Sequence, residues 1–408
     1  MSVEFLETTL ENGLRIVAEV DEHAHSAAMG FFVKTGARDE SPRHMGVSHF
    51  LEHMMFKGTD NRSASDVDRD LDDIGARSNA WTSAELTAFH AHCLPQHLAA
   101  AEDVLSDILR PALRVDDFED EKPVILEEIA MYADQPSWQL YERALEVYYD
   151  QHPLAHRVLG TNETVSQLQR DEMMAYFQQR YSADNTVVAL AGKVDFQDMV
   201  GRIKEHCGGW SRTDATRTYA SFTPQVNRFV DTDASLNRHY ACMVAPAPAV
   251  QDDRRYPAMM LAHILGHFEG SRLYWALVEP GLAEEAQCHY DGRDGCGEFI
   301  HWICCRPEDA EQCEQVLLKT IDELTASLCE DDLARVRSLA ATSVTVAGEM
   351  PAGRMQRLGR IMATAGTYRS LDQELEQIHA VTLDDLLEVA TAFPMSPIVT
   401  GHRTPNSS

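Results

Sequence analysis

The 408 residues contain no uninterrupted apolar run approaching the length of a membrane span. None of the nine cysteines forms a C-x-x-C pair. The first absence argues against a membrane helix, and the second removes the usual signature of a structural zinc ribbon or a dithiol redox site. Eight of the cysteines follow residue 200, and the set reads as buried free thiols. Positive charge is also scarce, with 35 Lys and Arg against 65 Asp and Glu and a formal charge of −30. Such a balance excludes a protein that neutralises nucleic-acid phosphates or docks on anionic lipid, and it attracts basic peptides. The opening segment "MSVEFLETTLENGLRIV" has neither a basic start nor a continuous apolar stretch, so no secretory signal is expected and the cytoplasm is the expected location.

What is present fits a folded protein of two domains. Apolar residues make up 44% and charged residues 25%, an ordinary globular mix, and the length suits two domains of about 200 residues. Alternation around "ENGLRI" predicts a hairpin turning on Asn12-Gly13, and "SAAMGFFVKTG" a third strand. Val47, Phe50, Leu51, Met54 and Met55 recur at helical spacing. "SASDVDRDLDDIGA" follows as a capped helix and "RSNAWTSAELTAFHAHCL" as one strand, then several helices and the strand "NTVVALAGKV". A similar order returns after residue 223, and the tails "TVSQLQRDEMMAYFQQRYSADNTVVALAG" and "AVTLDDLLEVATAFPMSPIVTGH" look alike. The expectation is an α+β fold of two duplicated domains, each a mostly antiparallel sheet packed with helices. A polar, Gly- and Pro-containing stretch at 208–222 reads as the linker between domains at 1–207 and 223–408.

Chemistry concentrates in "GVSHFLEHMMFKGT" at 46–59. His49 and His53, four apart on a helix, leave one face about a turn apart, which suits two ligands of one metal ion. Glu52 shares that face. The H-x-x-E-H order, known as the inverzincin motif, arises by chance in about one such histidine-rich chain in twenty, so it needs a third ligand to carry weight. "DEKPVILEEI" offers several: Glu121 and Glu128 lie seven apart on one helical face, whereas Glu127 points about 100° away.

These stretches, with "GARSNAWTSAELTAF", resemble the insulinase/pitrilysin family of zinc metallopeptidases, in particular its half-length branch of mitochondrial and bacterial processing peptidases. The resemblance implies one Zn²⁺ per chain held by His49, His53 and Glu128. Glu52 is then the general base that activates water, and Glu121 a supporting carboxylate. It further implies that the strand carrying Asn79 and Ala80 pairs with an extended substrate; Ala80 reads equally as plain core. Phe56 reads either as the wall of a side-chain pocket or, more simply, as core. The resemblance also places Arg272, in "GHFEGSRLYWALVEPGLAEEA", near the family's arginine position, as a candidate substrate contact. The tyrosine usual downstream is missing there, and Pro280 and Glu284 depart from the pattern.

"HILGH" at 263–267 repeats the histidine spacing with Gly266 in place of a base, so no second metal centre is expected. The expected protein is a zinc endopeptidase acting on unstructured, extended and possibly basic peptides. Its first domain is catalytic, its second forms a chamber wall, and two copies associate as a homodimer without nucleic acid or membrane. The alternatives are a catalytically silent scaffold or partner subunit and a dedicated maturase of one precursor.

Overall fold

The computed structural model describes residues 3–406 and divides into two compact units. Unit 1 comprises residues up to Ala130, His156–Thr218 and Thr345–Ser370; unit 2 comprises Met131–Ala155, Tyr219–Val344 and the residues from Leu371 on. These units do not follow the linear halves 1–207 and 223–408, because each half of the chain contributes one helical segment to the other unit. Residues 210–226 form no regular element.

Unit 1 is built on a six-stranded sheet of β1 (Glu4–Thr9), β2 (Arg15–Val20), β3 (Ala27–Val33), β4 (Arg77–Thr82), β5 (Thr87–Cys93) and β6 (Thr186–Gly192), in the order β1-β2-β6-β3-β5-β4. Only β2 and β6 pair in parallel. The β1–β2 hairpin forms over the Asn-Gly turn, where Gly13 has φ +94°. The stretch read above as one strand is instead the hairpin β4–β5. Ser83 breaks it: its backbone N–H and its hydroxyl both donate to the Leu86 carbonyl, closing a tight turn.

Every residue of β3 and of β6 is buried, which explains why both sequences are continuously apolar rather than alternating. One face of the sheet packs on the large core containing Phe31, Phe50, Phe89 and Phe118. The other is covered by the helix Pro351–Thr364, whose Met355, Leu358 and Met362 cluster with Val17, Phe32 and Ala189. That helix lies close: a Cβ on Gly359 would sit 2.1 Å from the Phe32 ring.

Unit 2 carries a five-stranded sheet of β7 (Asn227–Thr232), β8 (His239–Pro246), β9 (Ala283–Arg293), β10 (Cys296–Cys305) and β11 (Val399–Thr404), in the order β7-β11-β8-β10-β9. The run β6-β3-β5-β4 of unit 1 recurs as β11-β8-β10-β9, and the parallel pair β2/β6 as β7/β11. The duplication is therefore present in the sheets themselves, as two α+β domains. The helix Pro136–Tyr149, from the first half of the chain, packs on β8 and β11. Periodicity had not revealed β7, β9 or the helix Pro351–Thr364. In β9 the sequence "AEEAQCHYDGR" is mostly polar, and its strand state comes from pairing along β10.

Replacing Gly359 with Val should push the covering helix off Phe32 and destabilise the protein by about 1–3 kcal/mol. Denaturant unfolding followed by fluorescence should show an earlier transition; an unchanged midpoint would mean that the helix does not seat at this distance.

Candidate metal centre

The first histidines ride on the helix Val47–Met55, here called the histidine helix. Its entry is pinned by Glu40, whose two carboxylate oxygens accept the backbone N–H groups of Gly46 and Ser48 at 2.8 and 2.7 Å. Those are donors that a helix start leaves unpaired, and burial raises the Glu40 pKa to about 8 despite these bonds. Gly46 is required at the cap: its φ is +93°, and a Cβ would meet the Leu159 carbonyl at 2.6 Å. The Ser48 hydroxyl bonds Tyr176, which also bonds Thr35.

The acids come from the helix Val115–Ala133, the carboxylate helix. Phe118 stacks on Phe50 with ring centroids 4.7 Å apart, and Ile125 is fully buried in the same core. With those two residues facing inward, the helical period brings Glu121 and Glu128 to the rim beside the histidines. Glu127, adjacent in sequence, joins no such cluster.

His49 Nε2 lies 3.6 Å and His53 Nε2 3.5 Å from the same oxygen, Oε2 of Glu128. Both distances are too long for good hydrogen bonds. They match the edge of a tetrahedron whose donors stand about 2.0–2.1 Å from a zinc ion. Among the described residues, His49, His53 and Glu128 are the one cluster of three such groups able to hold a metal ion. Burial, reinforced by the neighbouring His53, lowers the His49 pKa to about 4, so the ring is neutral, as a ligand must be.

Two further carboxylates complete the site. Glu121, 4% exposed, accepts from Nδ1 of His53 at 2.9 Å, which leaves Nε2 of that ring free to face Glu128. Burial alone would raise the Glu121 pKa, but hydrogen bonds from Lys57 and His53 outweigh it and the net shift is downward. Glu52 makes no contact of ligand type with the cluster. Its carboxyl accepts the Thr82 hydroxyl of β4, and burial pushes its pKa up. A carboxylate so shifted is better matched to taking a proton near neutral pH.

The family described as Insulinase (Peptidase family M16) matches residues 15–162, and the one described as Peptidase M16 inactive domain matches 167–339. An uncharacterized zinc protease of Mycobacterium tuberculosis is 31% identical over 94% of this chain and 89% of its own. The chain belongs to the insulinase family, peptidase family M16. A second uncharacterized zinc protease, from Bacillus subtilis, is 29% identical over 92% of each chain. Among solved structures, a protease from Helicobacter pylori superposes with a TM-score of 0.91 at 19% identity, covering 99% of this chain and all of the other. A Pseudomonas fluorescens structure titled as a peptidase M16 inactive domain gives 0.89 at 14%, covering 100% and 99%. The fold is thus shared with a structure titled as an inactive domain, and any chemistry rests on the side chains.

In this M16 chain only unit 1 has the residues. The helix Arg255–Gly266 carries His263 and ends one residue before His267, whose backbone is extended, and a Cβ on Gly266 would lie 2.2 Å from the Cys288 backbone nitrogen of β9. No side chain can replace Glu52 there. Matching Asp331-Asp332-Leu333 to Asp116-Asp117-Phe118 sets Val336 and Ser343 where unit 1 has Glu121 and Glu128.

The remaining candidates fall in different places. Asn79 and Ala80 lie on β4, the edge of the sheet and the strand that supplies Thr82; Asn79 is exposed and Ala80 packs against the core. Phe56 is half-buried against the same core, 6.2 Å from the Phe89 ring. Arg272, in unit 2, is committed to internal contacts with Asp332 at 2.6 Å and the Ser327 carbonyl. Sequence reasoning missed Thr82 and Lys57. Lys57 carried a signal, four residues after His53; Thr82 carried none, since its partner is set by the fold.

Substituting Glu128 with Gln should reduce the zinc content of protein purified and dialysed in parallel with wild type, measured by elemental analysis. Retention of a full equivalent would remove Glu128 from the ligand set.

Proposed function

We propose that this M16 protein is a zinc endopeptidase that hydrolyses extended, unstructured peptides. The observation that carries this reading is the convergence of His49, His53 and Glu128 on one point, with Glu52 beside them and not consumed as a ligand. The names of its relatives as zinc proteases support the choice of metal.

His49, His53 and Glu128 would hold the ion. Bound there, zinc supplies a Lewis acid that polarises a carbonyl and acidifies water. Glu52 accepts a proton from the attacking water, a transfer its raised pKa favours, and passes it to the departing peptide nitrogen. Thr82 holds the Glu52 carboxylate in place. The exposed outer edge of β4 offers backbone groups for an extended chain, which supports a substrate contact at Asn79 and Ala80 through main-chain pairing. The formal charge of −30 favours basic peptides. We propose further that two copies associate as a homodimer and that the protein works in the cytoplasm; no helix among the described residues is long and apolar enough to cross a membrane.

Glu52→Gln separates catalysis from metal binding. The variant should keep its zinc and lose turnover by about 10²–10⁴-fold, the usual worth of a general base, in an assay with a fluorogenic unstructured basic peptide. Wild-type turnover in Glu52→Gln would refute the assigned base. Metal-free wild type that cleaves nothing would favour the silent partner subunit, and cleavage of one precursor alone in a peptide library would favour the maturase.

A further inference from the structure

We propose that Lys57 is a positioning residue of the metal centre, acting through Glu121 on His53. The inference rests on the zinc reading above and names a residue which that reading does not require.

The geometry is a chain of three side chains. The Lys57 ammonium is ion-paired with Oε2 of Glu121, and Oε1 of the same carboxylate accepts from His53 Nδ1 at 2.9 Å. Both oxygens of Glu121 are therefore held, one from the surface and one from the site. A carboxylate tied at both ends has one orientation, so the ring that donates to it has one orientation as well. The Nε2 lone pair of His53 then points where Glu128 Oε2 already lies, 3.5 Å away.

Lys57 is itself presented rigidly. It follows the histidine helix directly, and its backbone N–H bonds the Met54 carbonyl. Next to it, Gly58 has φ +103°, and a Cβ there would meet the Arg62 carbonyl at 2.6 Å, so the chain reverses at a fixed point. That turn, with the four-residue spacing from His53, returns the Lys57 side chain along the helix face that carries the metal ligand. Its side chain is 37% exposed whereas that of Glu121 is 6% exposed, so the lysine closes the carboxylate off from the surface side.

The two histidines are also unequal. His49 Nδ1 is buried with no hydrogen-bond partner among the described residues. Side-chain orientation of the metal ligands from behind thus falls on the His53 branch alone, and that branch ends at Lys57. Outer partners of ligating histidines ordinarily contribute strongly to metal affinity.

The test is zinc affinity of the full chain at one fixed pH, by competition with a chromophoric chelator, for wild type, Lys57→Met, Lys57→Arg, Glu121→Gln and the Lys57→Met/Glu121→Gln double variant. Lys57→Met should bind zinc about 10–100-fold more weakly, while Lys57→Arg stays within about threefold of wild type. In the Glu121→Gln background, Lys57→Met should cause no further loss, because its effect runs through that carboxylate. Circular dichroism monitors folding, and Lys57→Gln carries the same expectation should Lys57→Met not fold. Wild-type affinity in both neutral variants, or losses that add in the double variant, would overturn the proposal and leave the zinc reading standing. Wild type without measurable zinc affinity would overturn both.

Discussion

The candidate metal centre depends on the packing of two helices through Phe50 and Phe118. The stacked rings set how closely the carboxylate helix approaches the histidine helix, and so whether Glu128 can share a point in space with His49 and His53. This contact has an opposing force. Glu52 and Glu128 meet in a partly buried region, where like charges repel and lose hydration. Burial of Phe50, Phe118 and Ile125, worth on the order of 1.5–3 kcal/mol for each such side chain, holds the helices against that repulsion.

The two units show how little of this chemistry belongs to the fold. Their sheets share a strand order and a parallel pair, and each has two histidines four residues apart, on the helix in unit 1 and at the helix end in unit 2. In unit 2 that helix sits so near β9 that only glycine fits where unit 1 has Glu52. The carboxylate positions have become Val336, which is fully buried, and Ser343. A buried valine and an exposed serine thus stand where a metal centre would need carboxylates. Likeness to solved structures of both descriptions, protease and inactive domain, follows from the same fact: the scaffold tolerates either outcome.

Burial of the unit 1 sheet on both faces bears on the site as well. With helices on one side and the segment Pro351–Thr364 on the other, β3 and β6 are locked in the interior, and β4 lies at the edge of the sheet opposite β1. That edge strand contributes Thr82 to Glu52 from one end and leaves backbone groups exposed along the rest. One short strand, held by the buried strands beside it, thus both fixes the Glu52 carboxyl and presents an unpaired edge.

Much was readable from residue order because it depends on local periodicity. The Asn-Gly hairpin, the helix with His49, Glu52 and His53 on one face, and the pairing of Glu121 with Glu128 rather than Glu127 follow from turn chemistry and from 3.6 residues per turn. So did the absence of a base in "HILGH". Tertiary structure alone decided what depends on distant partners. The polar β9 is a strand because β10 offers it hydrogen bonds, and Thr82 reaches Glu52 because a turn at Ser83 places β4 at the sheet edge. The helices Pro136–Tyr149 and Pro351–Thr364 belong to units other than those their sequence position suggests, since the apolar sheet face each covers lies far away along the chain. Local pattern states what a segment can become; only packing determines which surface it buries and which side chains it meets.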